Sequence, residues 1–284
     1  MTDVLRSLLF TPANRPQAFD KALASGADCV CLDLEDAVPP DGKCAARPDA
    51  MAFLSGATFG VSRPARAVRI NALASVAGAR DLAALADAAA QSGLIMLPKV
   101  RSAAELQLVG SILDETGSAA GLIALVETAT GLSHVEEIAR ATPRLRAVMF
   151  GGVDLSAELG AQMGSDTMCC ARARIVQAAR AGGVDVLDVP ELDFRNADAV
   201  SAAATNAAQN GFTGKAAIHP SSNLGAINAA FTPSADEIAR AKDIIAAFEA
   251  APNGLVVIDG KLIEAPVIKR MRLRLAIAAA AGVL

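Results

Sequence analysis

Eight times along its 284 residues the chain repeats one unit: a short run rich in Leu, Val, Ile or Cys, a polar tip, and then a longer Ala-rich stretch whose apolar residues return every three or four positions. The strand-like runs are SLLFTP (7–12), DCVCLDLE (28–35), ARAVRIN (65–71), GLIMLPKV (93–100), GLIALVET (121–128), RAVMFGG (146–152), VDVLDVP (184–190) and GFTGKAAIHP (211–220). Between them lie helical patterns such as AGARDLAALADAAAQS (77–92) and SAAELQLVGSILDET (102–116), bounded by Ser, Gly or Asp at capping positions. Alternation of strand and helix at this rate dictates a parallel sheet, and eight units predict an α/β fold, a (β/α)8 TIM barrel spanning residues 1–221. An open doubly wound sheet is the alternative.

The polar tips are an independent argument for closure. Glu35 and Asp36, Arg69 and Asn71, Lys99, Glu127, Asp154, Asp188 and His219 all fall at or just past the C-terminal ends of the predicted strands. In a barrel those ends converge on one face, where active sites form. From Ser222 the repeat stops: a helix, a Pro-punctuated turn, a second helix, a short hairpin over Asp259 and Gly260, and a final helix read as a C-terminal extension (222–284) that needs a partner surface.

Composition narrows the function. A net charge of −4 and the absence of Trp and Tyr provide neither a basic footprint nor the usual stacking platforms for nucleic acid, which leaves small-molecule chemistry. No run reaches the ~18 apolar residues of a membrane span, and the first apolar stretch is shorter than a signal-peptide core, so a cytoplasmic protein with no membrane partner is expected. The five cysteines, at 29, 31, 44, 169 and 170, form neither an even disulfide set nor a paired CxxC metal motif, and are read as reduced thiols.

DLEDAVPP (33–40) crowds Asp33, Glu35 and Asp36 at the end of an apolar strand, an arrangement that raises proton affinities unless cations stand nearby. Arg69, Lys99 and a metal are the expected companions, with Glu35 and Asp36 orienting the groups around them. Asp33 shares the Glu35 face of an extended strand and is a candidate salt-bridge partner. Glu127 and Asp154 end consecutive strands, so in a barrel they are neighbours. Two carboxylates without nearby His or Cys favour a hard, oxygen-loving cation, and Mg is expected, with open positions for a small keto or hydroxy carboxylate. Arg69 offers a fixed fork for a carboxylate or a developing oxyanion, or alternatively an ion pair with Glu35 or Asp36.

RSLLFTPANRP, DLEDAV, VRIN, LPKV, ALVETATGL, FGGVDLSAELG, GFTGKAAIHPS and DGKLIEAPVIKRM resemble, in order and spacing, the citrate lyase β-subunit and malyl-CoA lyase superfamily. The resemblance implies a Mg-dependent barrel that breaks or forms a carbon–carbon bond in an acyl thioester, usually as a trimer or hexamer. It implies that Glu127 and Asp154 hold the metal and that Arg69 stabilises the enolate. It also implies a C-terminal carboxylate reaching the site from an adjacent subunit. In this chain that position is Glu264, in LIEAP, where the family carries Asp. Pro12, Arg15, Lys99 and His219 fall in segments expected to contact substrate or line the carrier entrance; Ala13 and Ser222 depart from the family pattern there. The function so implied is cleavage or formation of malyl-CoA, citramalyl-CoA or a related 3-hydroxyacyl thioester. The alternatives are a citrate lyase β-subunit acting on a carrier-bound acyl group, a malyl-CoA thioesterase, and a non-catalytic metabolite-binding barrel.

Overall fold

The computed structural model describes residues 5–55, 64–88, 92–251 and 256–284. Strands β1 (Ser7–Pro12), β2 (Cys29–Asp33), β3 (Ala65–Arg69), β4 (Leu94–Leu97), β5 (Gly121–Val126), β6 (Leu145–Phe150), β7 (Asp185–Asp188) and β8 (Gly214–Ala217) pair in parallel in chain order, and β8 pairs back onto β1. The sheet is therefore a closed (β/α)8 barrel with no open edge, which removes the doubly wound alternative. Helices follow the strands: Ser75 accepts from the Gly78 N–H ahead of helix Val76–Asp87 and Asn196 from the Ala199 N–H ahead of helix Ala197–Gln209, whereas Ser102, at the expected cap of helix Ala103–Glu115, makes no side-chain capping bond. The last residues of the helical stretch expected over 77–92 lie outside the described residues, as do the first of the C-terminal hairpin segment.

Closure sorts each strand by parity. Leu8, Cys31, Ala67, Met96, Leu125, Met149, Leu187 and Ala216, one from every strand, meet in a single buried cluster that fills the barrel. Small Ala and Cys side chains stand among the larger Leu, Met and Ile residues, so the interior is a packed core rather than a channel. Burial pushes the Cys29 and Cys31 thiols well up from their ordinary range, which leaves them as inert packing groups.

Residues of the opposite parity face the helices, and two predicted tips are corrected, Asp188 by its parity and Asn71 by its place past the end of β3. Asp188 does not join a convergent mouth: it lies beside the inward Leu187 and is held by Lys215 Nζ at 3.0 Å and by Arg172 Nη2 at 3.0 Å. Asn71 turns to helix Val76–Asp87, where its N–H and amide both donate to Asp81 Oδ2, at 2.8 and 2.6 Å. Both serve the joint between strand and helix.

The described residues divide into two compact units. The first, Leu5–Asn228, is the barrel; the second takes in Ala229–Leu284. Within the second, helix Ala235–Ala250 opens with a capping box between Ser234 and Glu237. Strands β9 (Val256–Ile258) and β10 (Lys261–Ile263) form the expected antiparallel hairpin over Asp259 and Gly260, whose φ values of 50° and 71° suit a tight turn. Helix Ala265–Ala280 packs Ile268 and Met271 against Ala241, Ile244 and Ile263.

The side chains of Lys215 and Asp188 are each only 3% exposed. Replacing Asp188 by Ala leaves the Lys215 ammonium buried without its carboxylate, so Asp188→Ala is expected to lose ~3–5 kcal/mol in urea unfolding. A loss under ~1 kcal/mol would show that the pair is dispensable.

Candidate active site

Past the apolar layers, the inward alternation delivers charge. On β2 the series Cys29, Cys31 continues to Asp33; on β3 Ala67 leads to Arg69; on β5 Ile123 and Leu125 lead to Glu127; on β6 Ala147 and Met149 lead to Gly151. Asp33 and Arg69 are cross-strand partners in the β2–β3 register. The guanidinium closes on that carboxylate as a fork, Nε to Oδ1 at 2.8 Å and Nη2 to Oδ2 at 2.6 Å. The same two oxygens accept the N–H groups of Glu35 and Ala37, at 2.8 and 3.0 Å, so Asp33 also shapes the turn that leaves the strand.

The expected partners Glu35 and Asp36 stand at ion-pair distance, each 3.2 Å from Arg69 Nη1, but they take the third nitrogen rather than the fork. Strand adjacency gives Asp33 first claim. The guanidinium also lies 5.0 Å above the Phe10 ring centroid. Burial opposes its charge, yet the three carboxylates outweigh that effect and raise its pKa.

Lys99 joins the two halves of the mouth. Its φ of 53° is left-handed, unusual for a residue with a Cβ, and in that conformation its N–H donates to Glu127 Oε1 at 2.9 Å. Its Nζ donates to Glu35 Oε1 at 2.5 Å. Burial works against this ammonium also, and Glu35, Glu127 and Asp36 more than compensate, raising its pKa. Glu35 is 7% exposed, and its Oε2 accepts no hydrogen bond. Burial raises its pKa while Arg69 and Lys99 pull the other way.

Glu127 is 2% exposed, and its carboxyl pKa is pushed up to about 8, first by burial and then by the negative charge of Glu35 and Asp154. Asp154, exposed in the first turn of helix Gly152–Leu159, lies within hydrogen-bonding reach of it. Gly151 makes room for the arrangement, because a Cβ there would stand 2.3 Å from Glu127 Cβ and 2.8 Å from Oε2. Five carboxylates thus face two cations, Arg69 and Lys99. A dication fits this excess. Among the described residues no group of three or more His, Cys, Asp or Glu side chains is arranged around one point, so the fit is to an ion that keeps water or substrate oxygens beside two protein carboxylates.

Of the residues singled out in the sequence, Glu35, Asp36, Arg69, Lys99, Glu127 and Asp154 come together. Pro12 ends β1 half-buried, and Arg15 is exposed just before the short turn Pro16–Ala18. His219 is exposed, with Nδ1 2.6 Å from Ser221 Oγ and its ring 5.1 Å from Phe194. Glu264 belongs to the second unit; it is exposed ahead of helix Ala265–Ala280 and makes no side-chain capping bond. Lys43, Asp81 and Gly151 carry weight that the sequence reading missed. Gly151 was signalled by its place two residues beyond Met149 in the inward series; Lys43 and Asp81 carried no signal.

The sequence profile of the HpcH/HpaI aldolase/citrate lyase family matches residues 6–220. The chain belongs to this family. Among its relatives is the L-malyl-CoA/β-methylmalyl-CoA lyase of Cereibacter sphaeroides, 35% identical, with 93% of this chain and 92% of that protein aligned. The (3S)-malyl-CoA thioesterase of the same species is 38% identical over 91% of this chain and 89% of that one. Among solved structures, CitE from Mycobacterium tuberculosis in complex with magnesium, acetoacetate and coenzyme A is 34% identical and superposes with a TM-score of 0.81, covering 98% of this chain and 100% of that one. The family barrel and the carboxylate-rich mouth thus coincide in one chain.

The raised Glu127 pKa makes a testable statement about stability. The folded chain holds a proton that the unfolded chain releases between the ordinary value of 4.5 and about 8. Its stabilising contribution is complete below that window and lost as pH rises through it. In EDTA-treated protein the urea midpoint of wild type is expected to fall, relative to Glu127→Gln, between about pH 5 and pH 8. Parallel curves for the two proteins would disprove the shift.

Proposed function

We propose that the chain is a Mg-dependent carbon–carbon lyase acting on a 3-hydroxyacyl-CoA thioester such as malyl-CoA or citramalyl-CoA, releasing acetyl-CoA and a 2-keto acid. The observation that carries this reading is the excess of five carboxylates over two cations at the mouth of a family barrel, with Asp154 within hydrogen-bonding reach of Glu127. Glu127 and Asp154 would hold Mg, which when bound supplies Lewis acidity and a chelation point for the keto or hydroxy acid.

The chain's own residues supply the rest. Arg69, locked by Asp33, presents a cation whose pKa is raised, so it stays charged at every working pH and favours the thioester enolate as the carbon–carbon bond breaks. Glu35 and Asp36 hold that guanidinium and Lys99 in place rather than attack the substrate. Pro12, Arg15 and His219 are proposed to contact the thioester carrier. Glu264 would move the proton; its exposure suits it to act on a substrate bound in a neighbouring subunit of a trimer or hexamer. A reducing, cytoplasmic setting is supported by five free cysteines.

A second reading, malyl-CoA thioesterase, is favoured by the 38% identical relative of that name and by Glu264 in place of Asp. Mass analysis of products from malyl-, citramalyl- and citryl-CoA with Mg separates the two. Acetyl-CoA with a keto acid is expected, whereas free CoA with intact hydroxy acid would replace the lyase by the thioesterase. Inertness towards all three, with an acyl-carrier protein co-purifying, would mark a citrate lyase β-subunit. Glu127→Ala and EDTA are each expected to lower cleavage by more than ~1000-fold, since each removes the charge stabilisation on which the step depends. Glu264→Asp is expected to change kcat by ~10–100-fold through a shift of about one methylene in the carboxylate.

A further inference from the structure

Lys43 opens helix Lys43–Ser55, the first helix after β2, and its ammonium is fully committed. It donates to Leu34 O at 2.9 Å, to Glu35 O at 2.7 Å and to Asn71 Oδ1 at 2.5 Å. Three donors therefore meet three acceptors. The first two acceptors are on the segment leaving β2, and the third is on the segment leaving β3, two residues beyond Arg69.

Asn71 cannot turn its amide over, because Nδ2 and its own N–H are taken by Asp81 Oδ2. Asp81, fully buried, is closed from the other side by Arg47 Nε at 2.6 Å. Arg47 stands one helical turn after Lys43 on the same helix, so Lys43, Asn71, Asp81 and Arg47 form a ring through two helices and the tip of β3. Glu35 is pinned at both ends of its backbone, its N–H by Asp33 and its carbonyl by Lys43.

We infer that Lys43 is a positioning residue for the site: its ammonium clamps the tips of β2 and β3 together and thereby fixes the separation of Glu35 and Arg69. Lys43 touches neither side chain. A clamp of this kind acts on geometry, and a shift of about 1 Å at reacting groups can cost ~100-fold in rate. The inference rests on the lyase reading for its kinetic arm alone.

Lys43→Met keeps the stem and removes all three donors. At a temperature well below its melting point, its kcat for malyl-CoA cleavage is expected to fall ~10–100-fold while KM for the thioester stays within ~3-fold, and Lys43→Arg, which restores donors to the carbonyls, is expected to recover most of the loss. Should Lys43→Met fail to fold, Lys43→Gln, shorter and uncharged with one donor group, is expected to lose about 10-fold in kcat. A folded Met or Gln variant with wild-type kcat overturns the inference.

A calorimetric titration with Mg and glyoxylate gives a readout that needs no turnover: Lys43→Met is expected to bind the pair at least ~5-fold more weakly than wild type. If wild type cleaves no thioester but binds Mg and glyoxylate, the lyase reading fails alone, and equal affinity in the variant would then overturn the clamp. A wild type that neither cleaves nor binds overturns both.

Discussion

Everything at the mouth of this barrel follows from the parity of its strands. Closing eight strands into a ring leaves each side chain two directions, into the lumen or out to the helices, and the lumen has room only for interlocking apolar layers. The first inward position above those layers is still buried but no longer apolar. On β2, β3 and β5 that position holds Asp33, Arg69 and Glu127, so the packing that excludes water from the core also brings the charges of separate strands to one place. Their mutual contacts then do the finer work. Neighbouring strands give Asp33 to Arg69, and the left-handed turn at Lys99 spans the gap between the β2 and β5 carboxylates.

Charge balance links this geometry to chemistry. An isolated carboxylate as deeply buried as that of Glu127 is costly, and protonation is the simplest way out in the metal-free chain. A dication offers the other. Under the proposed reading, a metal held by Glu127 and Asp154 would take the place of that proton. Arg69 and Lys99 are held in their charged forms by the neighbours that would otherwise repel one another, so the positive side of the site does not switch with pH.

Much of this was legible in the sequence because it is periodic. The eight runs, their order and the polar residues near their C-terminal ends are read directly from alternation and helical spacing; Asp154, expected at a strand end, instead stands four residues past β6 in the first turn of the next helix, and still comes within reach of Glu127 because the two follow consecutive strands. What could not be read has a different origin. Asn71 and Asp188 look like the other tips, but Asp188 has the parity opposite to the inward Leu187 and so faces the helices, whereas Asn71 lies beyond the end of β3, where the chain has left the sheet and parity no longer predicts direction. Asp81 lies in the middle of a helix, where a charged residue ordinarily faces water, and only the contact of that helix with the β3 tip makes it a buried acceptor for Asn71 and Arg47. Lys43 is equally silent, since a lysine at the start of a helix carries no spacing signal. Pairings between elements distant in sequence are tertiary facts, and periodicity does not contain them.

The glycine at 151 has a consequence for Glu127. Its missing side chain and the Glu127 carboxylate occupy the same volume, so the two positions are not free to vary separately. A side chain added at 151 here would force Glu127 to move, and with it this way of gathering negative charge. In this chain the glutamate after the fifth strand and the glycine after the sixth are thus one structural unit, and a Gly151→Ala change would act on the acid at 127 without touching its sequence.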